Sequence, residues 1–504
     1  MGRAARAADQ LHGMEPRRYG QASYGARRAG RHCAIDVRLD LAARLREVGV
    51  ALAESPGREF SWRHCGSAAD VDRQSMAVQA VFPEKPERSR IHDQVFEAPV
   101  IDTFVQLIFA LPLVVMIMNF GVTLMLRFGA KSTFLEKNYA LQPHVSVLLP
   151  CFNEGEHVFQ TIESILASDY PMEKVEVIAV DDCSADDTFE WIERAARRWP
   201  NVRAFRNPVN SGKHQTLSHA LSHSSGEILI CIDSDCIFDN RAIAELTACF
   251  VDETIGAVGG RVGISNAREN VLTQCQTVVY YYSFQIMKML QNWTRNVICI
   301  SGCLFAVRRE HFEAIEEQVK HRNWFGVGVR DGEDRYMTHL LLLKGLKTYI
   351  NISAQCWTAA PNNFRQLFMQ QLRWRRSGLR DLFWTLRKFG DNLEVLHPLT
   401  VVNLLIPGAL QVLWPAMCLY GLASGWLAEH LLQDMQLYFG LWVVVGLLYN
   451  LYVRWHNPEQ KVNPLIVGAL GMWFIADSFL ITLVALCTFD VGEWGTRGTS
   501  QKKA

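Results

Sequence analysis

Long apolar stretches occur at two places in the chain. One covers Thr103–Leu126, and three lie near the C-terminus at Pro398–Ala428, Met435–Val453 and Asn463–Phe489. A helix of about 24 residues is roughly 36 Å long, enough to cross a hydrocarbon core of about 30 Å. The pattern predicts four transmembrane helices, one before and three after a long polar region. Buried core helices of a soluble protein are the alternative.

The polar region contains short apolar runs that alternate with helical patterns. The runs are VSVLLP (145–150), VEVIAVDD (175–182), VRAFRN (202–207) and ILICIDSD (228–235). Strands that alternate with helices predict βαβ units and a parallel sheet, with ligands bound beyond the carboxyl ends of the strands. We therefore expect an α/β, Rossmann-like catalytic domain at 140–363, inserted between the transmembrane helices.

Charged residues around the apolar stretches predict an orientation. The basic residues are Arg127, Lys131 and Lys137 after the first stretch and Arg454 and Lys461 after the third; the acidic residues are Glu97 and Asp102 before the first and Glu429 and Asp434 in a link after the second. Basic loops stay cytoplasmic. We expect a multi-pass protein of the cell (plasma) membrane with residues 140–395 in the cytoplasm and the tail, 490–504, outside.

Composition adds two constraints. Lys and Arg (51) balance Asp and Glu (51), so the net charge gives no sign of nucleic acid as a partner. The 13 cysteines contain no CxxC pair, which argues against a zinc module or a disulfide framework and fits a reducing cytoplasm.

The N-terminal segment, 1–75, differs in composition from the rest. It is rich in Arg, Ala and Gly and has no signal-peptide core. We expect a disordered or non-native extension, with Met76 as a candidate start; a functional basic arm is the alternative. Residues 76–102 would be a juxtamembrane segment.

Two aspartates end the run at 228–235. Asp233 and Asp235 are two residues apart, so on a strand their side chains point the same way. Like charges repel unless a cation lies between them, and hard divalent cations bind carboxylates and substrate phosphates together. The pair predicts a site for Mg2+ or Mn2+ that bridges to a diphosphate. A solvated pair that caps the next turn is the alternative.

A set of ordered motifs resembles a known family. The motifs are VSVLLPCFNEGE, VIAVDDCSADDT, NSGKHQTLSHAL, CIDSD, SGCLFAVRR, GEDR and QQLRW. Together they resemble the membrane-embedded family 2 glycosyltransferases of GT-A fold, and within them the hyaluronan synthases and the rhizobial chitin-oligosaccharide synthases. The resemblance covers roughly 140 to 390 and the membrane layout. The chain departs from the family at Cys183, where Gly is usual, and at Cys303, where Pro is usual.

The resemblance implies roles for individual residues. Asp182 would read the uracil of a UDP-sugar, with Lys213, Asp233 and Arg373 also at the donor and Asp233 and Asp235 at the metal. The acceptor-binding residues would be Ser301, Gly302, Gln370 and Trp374. Asp334, with Glu333 beside it, would be the base that removes a proton from the acceptor hydroxyl.

The QQLRW motif lies in a segment, 364–390, that is basic and amphipathic. Apolar residues recur at helical spacing among many Arg and Lys residues, with Asp381 as the one acid. This is typical of a helix at a membrane surface. Asp477, in the last apolar stretch, would face protein or water because a carboxylate is costly in lipid.

The combined expectation is a processive inverting glycosyltransferase. It would polymerise, and export, a β-linked GlcNAc-containing polysaccharide from UDP-GlcNAc, alone or together with UDP-GlcA. Its partners would be the UDP-sugar donor, the growing polysaccharide and membrane lipid. A non-processive enzyme with a lipid-linked acceptor is the closest alternative. A transporter or channel would leave the carboxylate-tipped strands unexplained, and an inactive partner subunit conflicts with the intact motifs.

Overall fold

The structure is a computed structural model. It describes residues 135–324, 327–329, 332–389, 396–456 and 460–489, with isolated positions between 103 and 122. These residues belong to one compact unit, Lys85–Ala504, whereas the other unit, Met1–Glu84, lies outside them. The predictions for 1–75, 76–102, most of Thr103–Leu126 and 490–504 concern residues outside the described part of the chain.

A mixed eight-stranded sheet forms the core of the polar region, in the order β3-β2-β1-β4-β7-β6-β10-β5. Strands β8 and β9 form a separate two-stranded ribbon. The strands are β1 (Val145–Cys151), β2 (Val175–Asp181), β3 (Val202–Arg206), β4 (Ile228–Ile232), β5 (Ile237–Phe238), β6 (Ile255–Ile264), β7 (Leu304–Arg308), β8 (Asn323–Trp324), β9 (Val327–Gly328) and β10 (Lys347–Thr358).

The first half of the sheet is parallel, as the sequence predicted. β1 pairs in parallel with β2 and β4, and β2 pairs in parallel with β3. All residues of β1 are buried, which is typical of a parallel strand covered on both faces. β7 pairs antiparallel with both β4 and β6, so the complete sheet is mixed.

Helices cover the sheet and continue toward the C-terminus. They are α1 (His157–Leu166), α2 (Thr188–Arg198), α3 (Lys213–Ser222), α4 (Ala242–Thr247), α5 (Val271–Tyr281), α6 (Lys288–Thr294), α7 (Arg309–Lys320), α8 (Glu333–Leu343), α9 (Phe364–Phe389), α10 (Pro398–Ser424), α11 (Trp426–His456) and α12 (Pro464–Cys487). A short 3₁₀ turn covers Met172–Lys174, and a π-helix at Tyr282–Met287 joins α5 to α6. Helix α1 shows why they form: Val158, Ile162 and Ile165 recur at helical spacing and are buried.

Two helices, α10 and α11, are long and apolar enough to cross a membrane. Helix α12 follows them, and its side chains at 474–478, which include Asp477, lie outside the described part. Arg261 of β6 donates a hydrogen bond to the Tyr452 hydroxyl of α11, so the sheet contacts α11 directly.

The predicted link after the second apolar stretch is wrong. Helix α10 ends at Ser424, Gly425 adopts a left-handed conformation (φ 81°), and α11 begins at Trp426. Glycine makes this tight reversal possible because it has no Cβ. Glu429 and Asp434 therefore lie in the first turns of α11 instead of a loop.

Helix α9 packs on α12, and its location at a membrane surface stays a prediction. Leu372 and Leu379 are buried against Ile481 and Ala485. Arg380 is also buried, and its Nη1 donates to the carbonyl oxygen of Phe489 at 2.7 Å, beyond the C-terminus of α12. Cations are favourable at helix C-termini, which explains why the Arg380 guanidinium is turned toward the end of α12. The exposed apolar residues of α9 are Phe364, Met369, Trp374, Phe383 and Leu386.

Candidate active site

The two aspartates of the CIDSD motif lie just beyond β4. The strand ends at Ile232, and the N–H of Cys236 donates to the carbonyl oxygen of Asp233 at 3.1 Å, which closes a turn. The prediction that Asp233 and Asp235 share a strand face is therefore wrong. Both side chains remain partly exposed at the carboxyl edge of the sheet. Two accessible carboxylates are a donor set that fits a hard divalent cation such as Mg2+ or Mn2+.

Lys213 supplies a counter-charge that sequence analysis missed. Its Nζ lies 2.7 Å from Asp233 Oδ1 and 2.8 Å from Glu333 Oε1, and its contact with the nucleotide stays a prediction. Burial alone would lower the pKa of Lys213, but the two carboxylates outweigh it and raise the pKa well above its usual value. Burial would likewise raise the pKa of Glu333, whereas the Lys213 ammonium holds it below its usual value. Lys213 and Glu333 are therefore both charged at neutral pH.

Asp182 is fully buried, and its carboxylate organises the loop before α3. Its Oδ1 accepts hydrogen bonds from Asn207 Nδ2 (2.7 Å) and from the N–H and hydroxyl of Ser211 (both 2.9 Å). Its Oδ2 accepts from the N–H of Gly212 at 2.8 Å. Gly212 directly precedes Lys213, so Asp182 fixes the start of the helix that carries the ammonium. Contact between Asp182 and a uracil stays a prediction.

Asp334 lies at the start of α8, against the loop that contains Ser301 and Gly302. Its Oδ2 accepts from the Gly302 N–H at 3.0 Å, and its Oδ1 accepts from the Arg335 N–H at 2.8 Å. A Cβ added to Gly302 would lie 2.8 Å from Lys213 Nζ and 3.5 Å from Asp334 Cβ. Gly302 therefore lies between the candidate base, Asp334, and the buried ammonium of Lys213, and it is in close contact with both.

The QQLRW residues lie on the first half of α9. Trp374 is exposed, whereas Gln370 has an Oε1 atom that is buried and has no hydrogen-bond partner among the described residues. Burial, together with Cys303, Cys236 and Asp235, raises the pKa of the Tyr280 hydroxyl, and Arg373 opposes the shift. Arg373 of α9 and Asp235 therefore influence the same partly buried phenol with opposite sign.

A buried ion pair joins α9 to the region around Asp334. Arg322 Nη2 lies 2.5 Å from Asp381 Oδ1, and Ser377 donates to Asp381 Oδ2 at 3.3 Å. The sequence shows Asp381 as a single acid in a basic helix, and in the structure it is the buried ion-pair partner of Arg322. Gly332, with φ 73°, packs against Ser377 and positions the first turn of α8. No local signal in the sequence pairs Asp381 with Arg322, because they are far apart along the chain.

Comparisons with known proteins agree with this geometry. Residues 143–377 match the family described as "Glycosyltransferase like family 2". A hyaluronan synthase of Streptococcus pyogenes is 28% identical over 378 residues, which cover 72% of this chain and 86% of the synthase. An N-acetylglucosaminyltransferase of Mesorhizobium japonicum is 30% identical over 240 residues, which cover 47% of this chain and 57% of that protein.

A solved structure supports the same fold. A mannosyltransferase from Pyrobaculum calidifontis in complex with GDP-Man and Mn2+ has a TM-score of 0.50 and 19% identity, and the match covers 74% of this chain and 99% of that chain. The predicted GT-A fold, a Rossmann-like sheet followed by apolar helices, is confirmed. This chain is a glycosyltransferase, and its residues 143–377 form a domain similar to the family 2 enzymes.

Proposed function

We propose that the enzyme extends a β-linked, GlcNAc-containing polysaccharide from UDP-sugars, processively and with inversion at the transferred sugar. The hyaluronan synthases and N-acetylglucosaminyltransferases among its relatives support this substrate class. The similarity to these relatives is also the reason for proposing a product of the hyaluronan or chitin type. The apolar helices α10 and α11 support a membrane location. The proposal puts the sheet on the cytoplasmic side of that membrane and has the polymer exported.

The donor diphosphate would bind at the carboxyl edge of the sheet. Asp233 and Asp235 would hold Mg2+ or Mn2+ against the phosphates, and the mannosyltransferase of similar fold, solved with Mn2+, supports a divalent ion. When bound, the ion neutralises charge on the departing UDP. Arg373 presents a planar, permanently charged group to the same phosphates. Lys213 keeps Asp233 in place and adds positive potential below the site.

Asp334 would act on the acceptor. Backbone N–H groups of Gly302 and Arg335 hold its carboxylate in one orientation. The carboxylate takes the proton of the acceptor hydroxyl as the hydroxyl oxygen forms its bond to the sugar C1. The bond from C1 to the phosphate oxygen breaks in the same displacement, and its electron pair leaves with UDP. One displacement inverts the configuration at C1.

Residues of α9 would bind the acceptor sugar. Trp374 offers an exposed ring face, on which a sugar can stack. The unpartnered Oε1 of Gln370 can accept a hydrogen bond from a sugar hydroxyl. A non-processive enzyme with a lipid-linked acceptor would use the same chemistry, so product length separates the two functions.

The observation that carries the proposal is the convergence of Asp334, Lys213 and Asp233 at one edge of the sheet. The test is to incubate purified membranes with UDP-GlcNAc alone and then with UDP-GlcA added, and to identify the product by selective enzymatic digestion. A long polymer is expected, and short lipid-linked products would favour the alternative. Asp235→Asn should abolish UDP release at saturating metal, while Asp239→Asn, a nearby control beyond β5, should retain it.

A further inference from the structure

A cluster of thiols lies behind the CIDSD turn. The ligand atoms of Asp233, Cys236 and Cys303 all lie within 4.8 Å of one another. Cys236 is fully buried, and the other two residues are partly buried. A third thiol, Cys356, is buried nearby, with its Sγ 3.7 Å from the carbonyl oxygen of Cys303.

The sheet topology brings these residues together. Ile232, the last residue of β4, is paired with Leu304, the first residue of β7, so Asp233 and Cys303 extend from the ends of adjacent strands. Cys236 follows in the turn after Asp235. The cluster is thus held by backbone pairing, and its geometry is set before any ligand arrives.

Two thiols and one carboxylate form a donor set of different character from two carboxylates. Thiolates favour soft or borderline ions such as Zn2+ and Cd2+, whereas carboxylate oxygens favour Mg2+ and Mn2+. In a tetrahedral zinc site with Zn–S bonds of about 2.3 Å, two sulfur atoms lie about 3.8 Å apart. The observed cluster is compatible with this spacing.

We infer that Asp233, Cys236 and Cys303 form a binding site for one thiophilic divalent cation, Zn2+ or Cd2+, and that this site competes with the donor site for Asp233. Each bound thiol would release its proton to solvent as the thiolate coordinates the ion. The competition follows because the Asp233 carboxylate belongs to both ligand sets. The expected inhibition of sugar transfer by the bound cation rests on the proposed function, whereas binding of the cation itself does not.

The test uses the purified full-length enzyme in detergent after treatment with a chelator. Cadmium chloride is titrated, and the ultraviolet charge-transfer band of cadmium thiolate is recorded. The wild type should saturate at one equivalent. Cys236→Ser and Cys303→Ser should each weaken binding by at least about 100-fold, since loss of a ligand exceeds the effect of losing an outer partner. The control is Cys249→Ser, a buried thiol just beyond the C-terminus of α4 that donates a hydrogen bond to the Glu245 carbonyl oxygen at 3.1 Å.

Absence of the band in the wild type, its persistence in both cluster variants, or its loss in Cys249→Ser would each overturn the inference. If a variant fails to fold, mass spectrometry of the wild type decides: one equivalent of cadmium should protect Cys303 from alkylation, and unchanged labelling contradicts the site. Turnover in excess Mn2+ should fall as cadmium is added. Cadmium binding without any transferase activity would refute the proposed function and leave the cation site intact.

Discussion

Lys213 Nζ lies 2.7 Å from Asp233 and 2.8 Å from Glu333, so one buried ammonium joins the CIDSD turn to the first turn of α8. Along the chain these residues are widely separated, and each belongs to a different motif. The ammonium lies between two carboxylates and reduces the repulsion between them. It also lies next to Gly302, whose N–H binds Asp334. The donor and acceptor sides of the site are therefore electrostatically connected.

Removal of the Lys213 charge should destabilise the fold. Lys213→Met leaves Glu333 buried without its partner, which costs about 3–5 kcal/mol for a broken buried pair. The double variant Lys213→Met/Glu333→Gln should regain part of that loss, because the uncompensated charge is gone. Thermal unfolding in one detergent measures both. Lys344→Met, an exposed control, should stay within about 0.5 kcal/mol of wild type. Equal losses in the single and double variants would contradict the ion pair.

The same pair predicts a pH dependence of stability. The pKa of Glu333 is lowered in the folded protein, so its contribution is complete above the usual value of 4.5 and is lost as the pH falls through the folded pKa. The pKa of Lys213 is raised, so its contribution holds below 10.5 and is lost at still higher pH. The melting-temperature gap between wild type and Glu333→Gln should therefore narrow on acidification below about pH 4.5. A gap independent of pH would contradict the assignment.

Gly332 should be much less tolerant of alanine than Gly345. Both glycines have positive φ, 73° and 77°, so alanine at either position carries a backbone cost of about 1–2 kcal/mol. A Cβ at Gly332 would also collide with Ser377 of α9, while a Cβ at Gly345 meets open space. Gly332→Ala should lower the melting temperature more and reduce turnover, because it displaces the first turn of α8. Equal effects of the two substitutions would show that the contact with α9 is unimportant.

Gln370→Ala should weaken acceptor binding without lowering the stability of the fold. Its Oε1 is buried and has no hydrogen-bond partner among the described residues, so alanine removes no hydrogen bond between that atom and the described protein. A lost bond to a sugar hydroxyl should raise the acceptor KM by about 5- to 10-fold, which corresponds to about 1–1.5 kcal/mol. Gln366→Ala, one turn earlier and exposed, is the control. An unchanged acceptor KM, measured with short oligosaccharides, would remove Gln370 from the acceptor site.

Sequence patterns predicted the parallel half of the sheet well, because β1, β2 and β4 are short, mainly apolar runs with clear boundaries. They did not predict the antiparallel pairing of β7 with β4 and β6, which depends on contacts between distant segments. The predicted run at 228–235 also extends beyond the true end of β4, which is Ile232. Asp233 and Asp235 belong to a turn that a backbone hydrogen bond closes, and side-chain periodicity carries no information about that bond.

The motifs predicted site residues, but not the charged partners of those residues. Lys213 and Glu333 were assigned to the nucleotide and to catalysis, and the structure adds that they are buried against each other. Asp381 was counted as a lone acid on a basic helix, whereas it is paired with Arg322. Such pairs depend on how α8, α9 and the sheet pack. Local patterns can indicate a chemically active residue, yet only the fold supplies its counter-charge.

The central claim is that Asp334 acts on the acceptor while Asp182 supports the donor side. A base contributes about 100- to 10,000-fold to the rate and need not contribute to donor binding in the ground state. The direct test compares donor affinity, by calorimetry with UDP-GlcNAc and metal, with turnover for Asp334→Asn and Asp182→Ala in the same detergent. The account predicts that Asp334→Asn abolishes transfer at near wild-type donor affinity, whereas Asp182→Ala weakens donor binding by releasing the loop at Asn207–Gly212. If Asp334→Asn loses donor affinity as severely as Asp182→Ala, with its melting temperature unchanged, then Asp334 belongs to the donor site and the assignment of the base is wrong.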